Sequence, residues 1–334
     1  MWMKLLDLLA CPKCSSAFTC NSTDVETDGR VISGTLSCTQ CKGGYPIVSG
    51  IPRFVESDNY AASFGYQWKS FRHEQIDSFN GTNLSANRFF KETGWTEEWL
   101  SGKWVLGAGC GAGRFLDVVA KCPCDVVGVD ISYAVDAVAE TMRDRENVHL
   151  VQASIYDLPF RPGVFDGCYC IGVIQHTPNP EGAAKALPKV LKEGGPIAVT
   201  IYELRRWTRF NSKYIVRHVT KKMNKKLLLM TIKIMMPLLF SVTEIIFRIP
   251  FLGRLFMFGI PVANYVQESG LSLRQRYRWA ILDTFDMLSP EYDKPQRQRN
   301  VERWLSETGI SKIQRLQNPG LNLVGQKAKL CARP

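Results

Sequence analysis

The sequence predicts an α/β protein with a doubly wound, mostly parallel sheet, a small metal-bound module in front and a helical insertion near its end. Three observations carry this. Short apolar runs alternate with helix-like segments from about residue 100 to 203, the pattern of a parallel sheet covered on both faces. One apolar run, beginning at Val105, breaks into a glycine turn and a helix. Two CxxC pairs, Cys11/Cys14 and Cys38/Cys41, precede all of this with 23 residues between them.

The cysteine pairs come first in the chain. Four thiolates on two such knuckles form a tetrahedral set of the kind that holds a structural zinc. Residues 1–56 are too few to bury a core unaided, so the metal is expected to supply the fold of this ribbon. The competing reading is a disulfide framework. Eleven cysteines in 334 residues, several at strand or loop positions such as Cys110, Cys168 and Cys170, argue for a reducing compartment instead. Cys20 reads as a spare thiol, and Cys122 and Cys124 as structural. Leu8-Leu9-Ala10-Cys11 mimics a lipoprotein cleavage box. The apolar run before it is short and broken by Asp7, so no export signal is expected and the reading is cytoplasmic.

Residues 57–100 form a helical lead-in rich in aromatics, with Gln67, Trp68 and Phe71 as lid candidates; packing against the sheet edge is the competing reading. Val105 to Phe115 (VLGAGCGAGRF) then reads as buried strand, glycine turn and helix start. Gly109, Gly111 and Gly113 let the backbone turn sharply and approach a ligand closely. A second strand, VVGVD, ends on Asp130, roughly 20 residues past the first glycine, where a carboxylate can accept both hydroxyls of a ribose. The spacing GxGxG is not the dinucleotide GxGxxG, and no lysine follows as in a phosphate-binding P-loop.

With these residues in view, the segment resembles motif I of the class I S-adenosylmethionine-dependent methyltransferases. Further segments follow in that family's order: the strand Val148–Gln152, QASIYDLPF on the adenine side, and FDGCYCIGVIQHTPNP, similar to motif IV and its loop. A helix over 181–191, stopped by Lys-Glu-Gly-Gly, and the strand PIAVTIY complete the run. The resemblance implies a seven-stranded Rossmann-like sheet from 101–203 and 291–334. It also implies cofactor contacts from Gly109, Cys110, Gly111, Gly113, Asp130, Ile131, Ser154, Ile155 and Cys170, with Gln67 and Trp68 from the lead-in. Two positions depart from the family pattern. Gly107 stands where motif I begins with an acid, and Ser154 replaces the adenine-side acid, which weakens the expected hold on S-adenosylmethionine. The N-terminal ribbon resembles the small zinc-ribbon proteins that activate RNA and protein methyltransferases.

Residues 204–290 interrupt the fold before its last helix and two strands (310–316 and 321–326), and the positive charge lies here. The formal net charge is +11, and residues 205–278 carry 15 Lys and Arg against Glu244 and Glu268. Arg205, Arg209, Lys213, Arg217, Lys221 and Lys225 recur every fourth residue, a row that winds around a helix instead of marking one face. The apolar run 227–247 has the length of a membrane span but contains Lys233, Pro237 and Glu244. Since a charge near a bilayer centre costs about 2.5–3.5 kcal/mol, an interfacial pair of helices on an anionic membrane surface is the better expectation. A solvated cap over the site and an RNA-binding surface are the competing readings.

For the reaction, methyl transfer needs a nucleophile held in line with the departing sulfur, and a hydroxyl acceptor gains from a general base. His176 follows motif IV and carries an imidazole, whose ordinary pKa of about 6.5 suits that task; holding the loop is its alternative role. Tyr202 and Glu203 end the fifth core strand and rank next. The expected activity is O-methylation of a small apolar or lipid- or glycan-linked acceptor. RNA methylation is the second reading and a binding protein without turnover the third.

Overall fold

The computed structural model describes residues 1–55, 71 and 73–329. Gln67 and Trp68 lie outside them. The ribbon is a four-stranded antiparallel sheet of β1 (Phe18–Val25), β2 (Val31–Cys38), β3 (Gly44–Val48) and β4 (Ile51–Pro52), in that order. The main sheet contains β5 (Trp104–Ala108), β6 (Asp125–Asp130), β7 (Val148–Gln152), β8 (Gly167–Ile171), β9 (Pro196–Ile201), β10 (Ile310–Leu316) and β11 (Leu321–Lys327). Its order is β10-β11-β9-β8-β5-β6-β7. The five strands from β9 to β7 are parallel, and β11 runs antiparallel to both neighbours.

The parallel strands are mostly apolar because helices cover both faces; β7 and β8 are buried at every position, His149 and Gln152 of β7 included. From β5 the chain winds to β6 and β7 on one side and to β8 and β9 on the other. That reversal between β5 and β8 opens a crevice at the carboxyl ends of the strands. The expected helix over 181–191 is shorter: Pro180–Ala186 is α-helical, and a 3-10 turn over Leu187–Val190 follows where Pro188 cannot continue the hydrogen-bond ladder.

The ribbon docks on the β7 edge. Arg53 pairs alongside Gln152, and Phe54 N–H donates to the Gln152 carbonyl at 2.8 Å. Ala10 N–H donates to the Pro159 carbonyl, and Arg161 N–H to that of Leu8, both at 2.9 Å. Leu5, Leu9 and Leu36 share one buried cluster with Val151, Phe160 and Leu187 of the sheet domain.

The insertion folds as four helices, Ser212–Thr220, Lys225–Ile246, Leu252–Gly259 and Leu273–Leu288. Asn211, Asn224 and a Ser272/Gln275 capping box satisfy amides at three of their starts. Leu228, Leu229, Ile232, Met236 and Phe240 pack against Ala280, Ile281, Phe285 and Leu288, so the insertion has a core of its own. Pro237 sits inside the longest helix without ending it.

Candidate functional site

A cavity of about 910 Å³ lies at the carboxyl ends of β5, β6, β8 and β9, roofed by the insertion. Its floor is the glycine turn. Gly109, Gly111 and Gly113 adopt φ of 73°, 52° and 87°, the left-handed region open to glycine. A Cβ at Gly109 would meet a Val173 methyl at 2.4 Å. The Gly109 and Cys110 amides donate to the Val129 carbonyl at 2.7 and 2.9 Å, which stitches the turn to the end of β6.

Asp130 closes that floor. One carboxylate oxygen accepts the Gly111 N–H at 2.9 Å; the other accepts the Ser132 N–H and Oγ–H at 2.9 and 2.7 Å. Burial raises its pKa, and the donors from Ser132 and Gly111 oppose that rise. Each oxygen retains acceptor capacity for a ribose hydroxyl. Cys110 lines the floor too, its thiol kept protonated by burial and by the Asp130 charge.

The other sequence-designated residues divide. Ile131 and Ile155 line the cavity with the glycines, as do His176 and Tyr202. Gly113 does not: it starts the Arg114–Val119 helix, and a Cβ there would meet Met142 and Val138. Ser154 lies beside the lining residues Ala153 and Ile155, and its hydroxyl accepts the Tyr156 N–H at 3.2 Å. Cys170 is buried within β8 away from the cavity, and burial pushes its thiol up. Glu203, two residues past the end of β9, does not line the cavity, whereas its neighbour Tyr202 does. Arg315 at 2.8 Å and Arg205 at 2.7 Å hold its carboxyl below the ordinary range. That ion pair serves β10, not the cavity.

The departure at Gly107 has a steric cause. A Cβ there would lie 2.5 Å from the Tyr169 hydroxyl. Tyr169 is buried edge-on to Phe89, Trp95 and Phe115, filling the space an acid side chain would need.

In the turn after β8, the His176 Nδ1 lies 2.9 Å from the Tyr292 carbonyl, which can only accept. Nδ1 therefore carries a proton, and the neutral ring keeps its lone pair on Nε2. Tyr202 packs edge-to-face on His176 with centroids 5.4 Å apart, and burial raises its phenol pKa. The Lys213 ammonium lies 4.7 Å from the Tyr202 ring centroid and 2.8 Å from Asp293.

Several lining residues went unrecognised in the sequence: Gln75, Arg88, Arg114, Asp283 and Asp286. The Gln75 amide donates to both Asp283 oxygens at 3.1 and 3.3 Å, and its carbonyl accepts from Arg114 at 3.2 Å. Burial, reinforced by Asp286, pushes the Asp283 pKa up to about 7. Burial likewise lowers Arg114 to about 9. The available signal was Trp279, Asp283, Asp286 and Met287 recurring on one helical face, acids among apolar residues.

In the ribbon, the Sγ atoms of Cys11, Cys14, Cys38 and Cys41 all lie within 4.8 Å of one another. The Cys11–Cys41 and Cys14–Cys38 pairs are 3.6 and 3.4 Å apart. Sulfurs at about 2.3 Å from one tetrahedral zinc would stand just under 4 Å apart, so this set fits the ion. Hydrogen bonds from Ser16 hold the Cys14 thiol down to about 6. All ten cysteines among the described residues are free of disulfides.

Comparison with known proteins matches residues 106–199 to the family model described as a methyltransferase domain. A 102-residue stretch is 32% identical to the ubiquinone biosynthesis O-methyltransferase of Acinetobacter baumannii, covering 29% of this chain and 43% of that protein. Over 161 residues the chain is 29% identical to the tRNA (carboxymethyluridine(34)-5-O)-methyltransferase of Arabidopsis thaliana, 44% of this chain and 38% of that one. The chain thus spans less than half the length of these curated relatives. A SAM-dependent methyltransferase structure from Aquifex aeolicus aligns with 79% of this chain and 98% of its own at 13% identity and a TM-score of 0.41.

Proposed function

We propose that this protein is an S-adenosylmethionine-dependent methyltransferase that transfers a methyl group to a hydroxyl of a small apolar or lipid- or glycan-linked acceptor. One observation carries the reading: the half-buried Asp130 carboxylate, locked to the Gly111 amide beneath a cavity floored by left-handed glycines. A sulfonium donor supplies an electrophilic methyl when bound. Asp130 would hold its ribose, and Gly109 and Gly111 would let the backbone approach it. Ile131 and Ile155 would flank the adenine. Gly113 serves the turn's geometry, Ser154 the following loop and Cys170 the strand behind. His176, with Nδ1–H committed to a carbonyl, would take the acceptor proton on Nε2, and Tyr202 would position the ring. Cys11, Cys14, Cys38 and Cys41 would hold a structural zinc, and the enzyme would work in the cytoplasm, where thiolates stay reduced.

The test is calorimetry with S-adenosylmethionine. The intact chain should bind, and Asp130→Ala should not, with circular dichroism unchanged. No heat at millimolar cofactor removes the proposal. The insertion's basic charge and the tRNA-modifying relative favour RNA as a second acceptor class. In that reading RNA affinity falls steeply with added salt as counterions are released; an affinity indifferent to salt excludes it.

A further inference from the structure

We infer that the outward face of the insertion docks on an anionic lipid bilayer, with the Lys225–Ile246 helix lying in the interface instead of crossing it. That helix has two faces. Leu228, Leu229, Ile232, Met236, Phe240 and Thr243 are buried in the insertion's core. Leu227, Met230, Ile234, Leu238, Val242 and Ile245 are exposed, Ile234 and Leu238 each at 71%. Their spacing of three and four residues draws one stripe about 27 Å long. The apolar surface continues past the helix: Phe251 is 96% exposed at the turn, ahead of exposed Leu252 and Leu255. Single exposed apolar residues are ordinary, whereas a stripe of this length marks a contact surface.

Charge selects the occupant. The exposed polar side chains around the stripe include Lys226, Lys233 and Arg254, with Lys221 and Lys222 just before the helix. Glu244 is the only acid between Glu203 and Glu268, and Arg276 and Arg248 already neutralise it. The face therefore offers apolar surface and uncompensated positive charge, the complement of an acyl boundary under anionic head groups. A second copy would bring like charges together, and RNA would leave the stripe in water. The helix meets the length and hydropathy of a span. Crossing, however, would strip Met236 and Phe240 from their core and break the Glu244–Arg276 pair.

Joined to the methyl-transfer reading, on which this step alone rests, docking selects an acceptor held at the bilayer. Lys213 lines the cavity from the same short helix that exposes Ile215 and Val219, so the insertion that carries the stripe also roofs the cavity.

The experiment is sedimentation of the full chain with phosphatidylcholine vesicles, with and without phosphatidylglycerol. The intact chain should pellet with the anionic vesicles, and I234D/L238D should lose at least roughly tenfold in partitioning, while K226Q and K233Q lose roughly fivefold each. F251W should shift its emission to the blue on vesicle addition and be quenched by brominated acyl chains. An intact chain left in the supernatant, or equal pelleting of I234D/L238D, overturns the inference. So does a dimer that I234D/L238D converts to monomer, or RNA held through Lys226 and Lys233 in place of vesicles. Cofactor calorimetry on the same samples separates the two readings. Vesicle binding without cofactor heat removes the methyltransferase and leaves the docking face, and the reverse leaves only the enzyme.

Discussion

Asp283→Asn tests the electrostatics of the cavity roof most directly. The Asp283 carboxyl is half-buried in the cavity wall near Asp286, and its pKa rises from 3.8 to about 7 because the charged form loses water. The folded state therefore holds a proton that the unfolded chain has already released at intermediate pH. Where the native state binds more protons, stability falls as pH rises. The loss begins near the unfolded pKa of 3.8, runs through the folded value of about 7, and is complete above it. A carboxyl that ionises near 7 instead of 3.8 costs the native state roughly 4 kcal/mol once charged. Asparagine keeps the shape and can still accept from Gln75 but carries no charge. Urea denaturation at pH 5 and pH 8 should show the variant gaining stability over the parent as pH rises, by a few kcal/mol at most. Bound cofactor should be left out of both samples, since it adds its own linkage. An identical gap at the two pH values would show that Asp283 is solvated and ionised throughout, and would refute the buried-acid account.

Three further outcomes are expected. Gly109→Ala should lower stability by about 1–2 kcal/mol for the left-handed φ alone, with further loss where the new methyl meets Val173, and should abolish cofactor heat. Full affinity in that variant would place the ligand elsewhere. Zinc should be present at one ion per chain by dye-linked release, and chelation should lower the melting temperature of the whole chain, since the ribbon core is continuous with the sheet domain; an unchanged melting curve would make the cysteine cluster incidental. Glu203→Gln should leave cofactor affinity unaltered and cost at most about 1 kcal/mol of stability, because its partners Arg205 and Arg315 are partly exposed.

The sheet was readable because parallel strands buried on both faces are mostly apolar runs, and because glycines between a strand and a helix announce a turn. Asp130 and the four cysteines were readable because their partners lie at fixed sequence offsets. The roof was not. The row of basic residues suggested solvated or lipid-facing charge, yet Arg217 is buried and donates to the Met287 and Pro290 carbonyls at 3.0 and 2.9 Å. Lys225 likewise donates to the Ser289 carbonyl at 2.6 Å. Part of the charge thus ties the insertion together across some 70 residues, a pairing no local pattern encodes. Gly107 read as a lost acid because its compensation, Tyr169, lies on another strand. Glu203 read as a site residue because it is next to Tyr202, and its carboxylate is instead held by Arg315 of a distant strand and by Arg205.

The floor and roof of the cavity are joined by one polar chain. Arg114, the first residue of the helix behind the glycine turn, bonds to Ser85 and Gln75, and Gln75 bonds to Asp283 of the roof. Each member is held by a residue from a different segment, so the turn, the lead-in and the insertion must be seated together for any one to be satisfied. A half-buried guanidinium with its pKa lowered to about 9 and a half-buried carboxyl raised to about 7 are both costly alone, and Gln75 bridges them with an amide that donates to one and accepts from the other. Anything that neutralises Asp283 weakens the pull of the roof on Arg114, and through it on the helix that the glycine turn begins. The glycine floor is therefore coupled to an insertion whose acids, Asp283 and Asp286, line the same cavity.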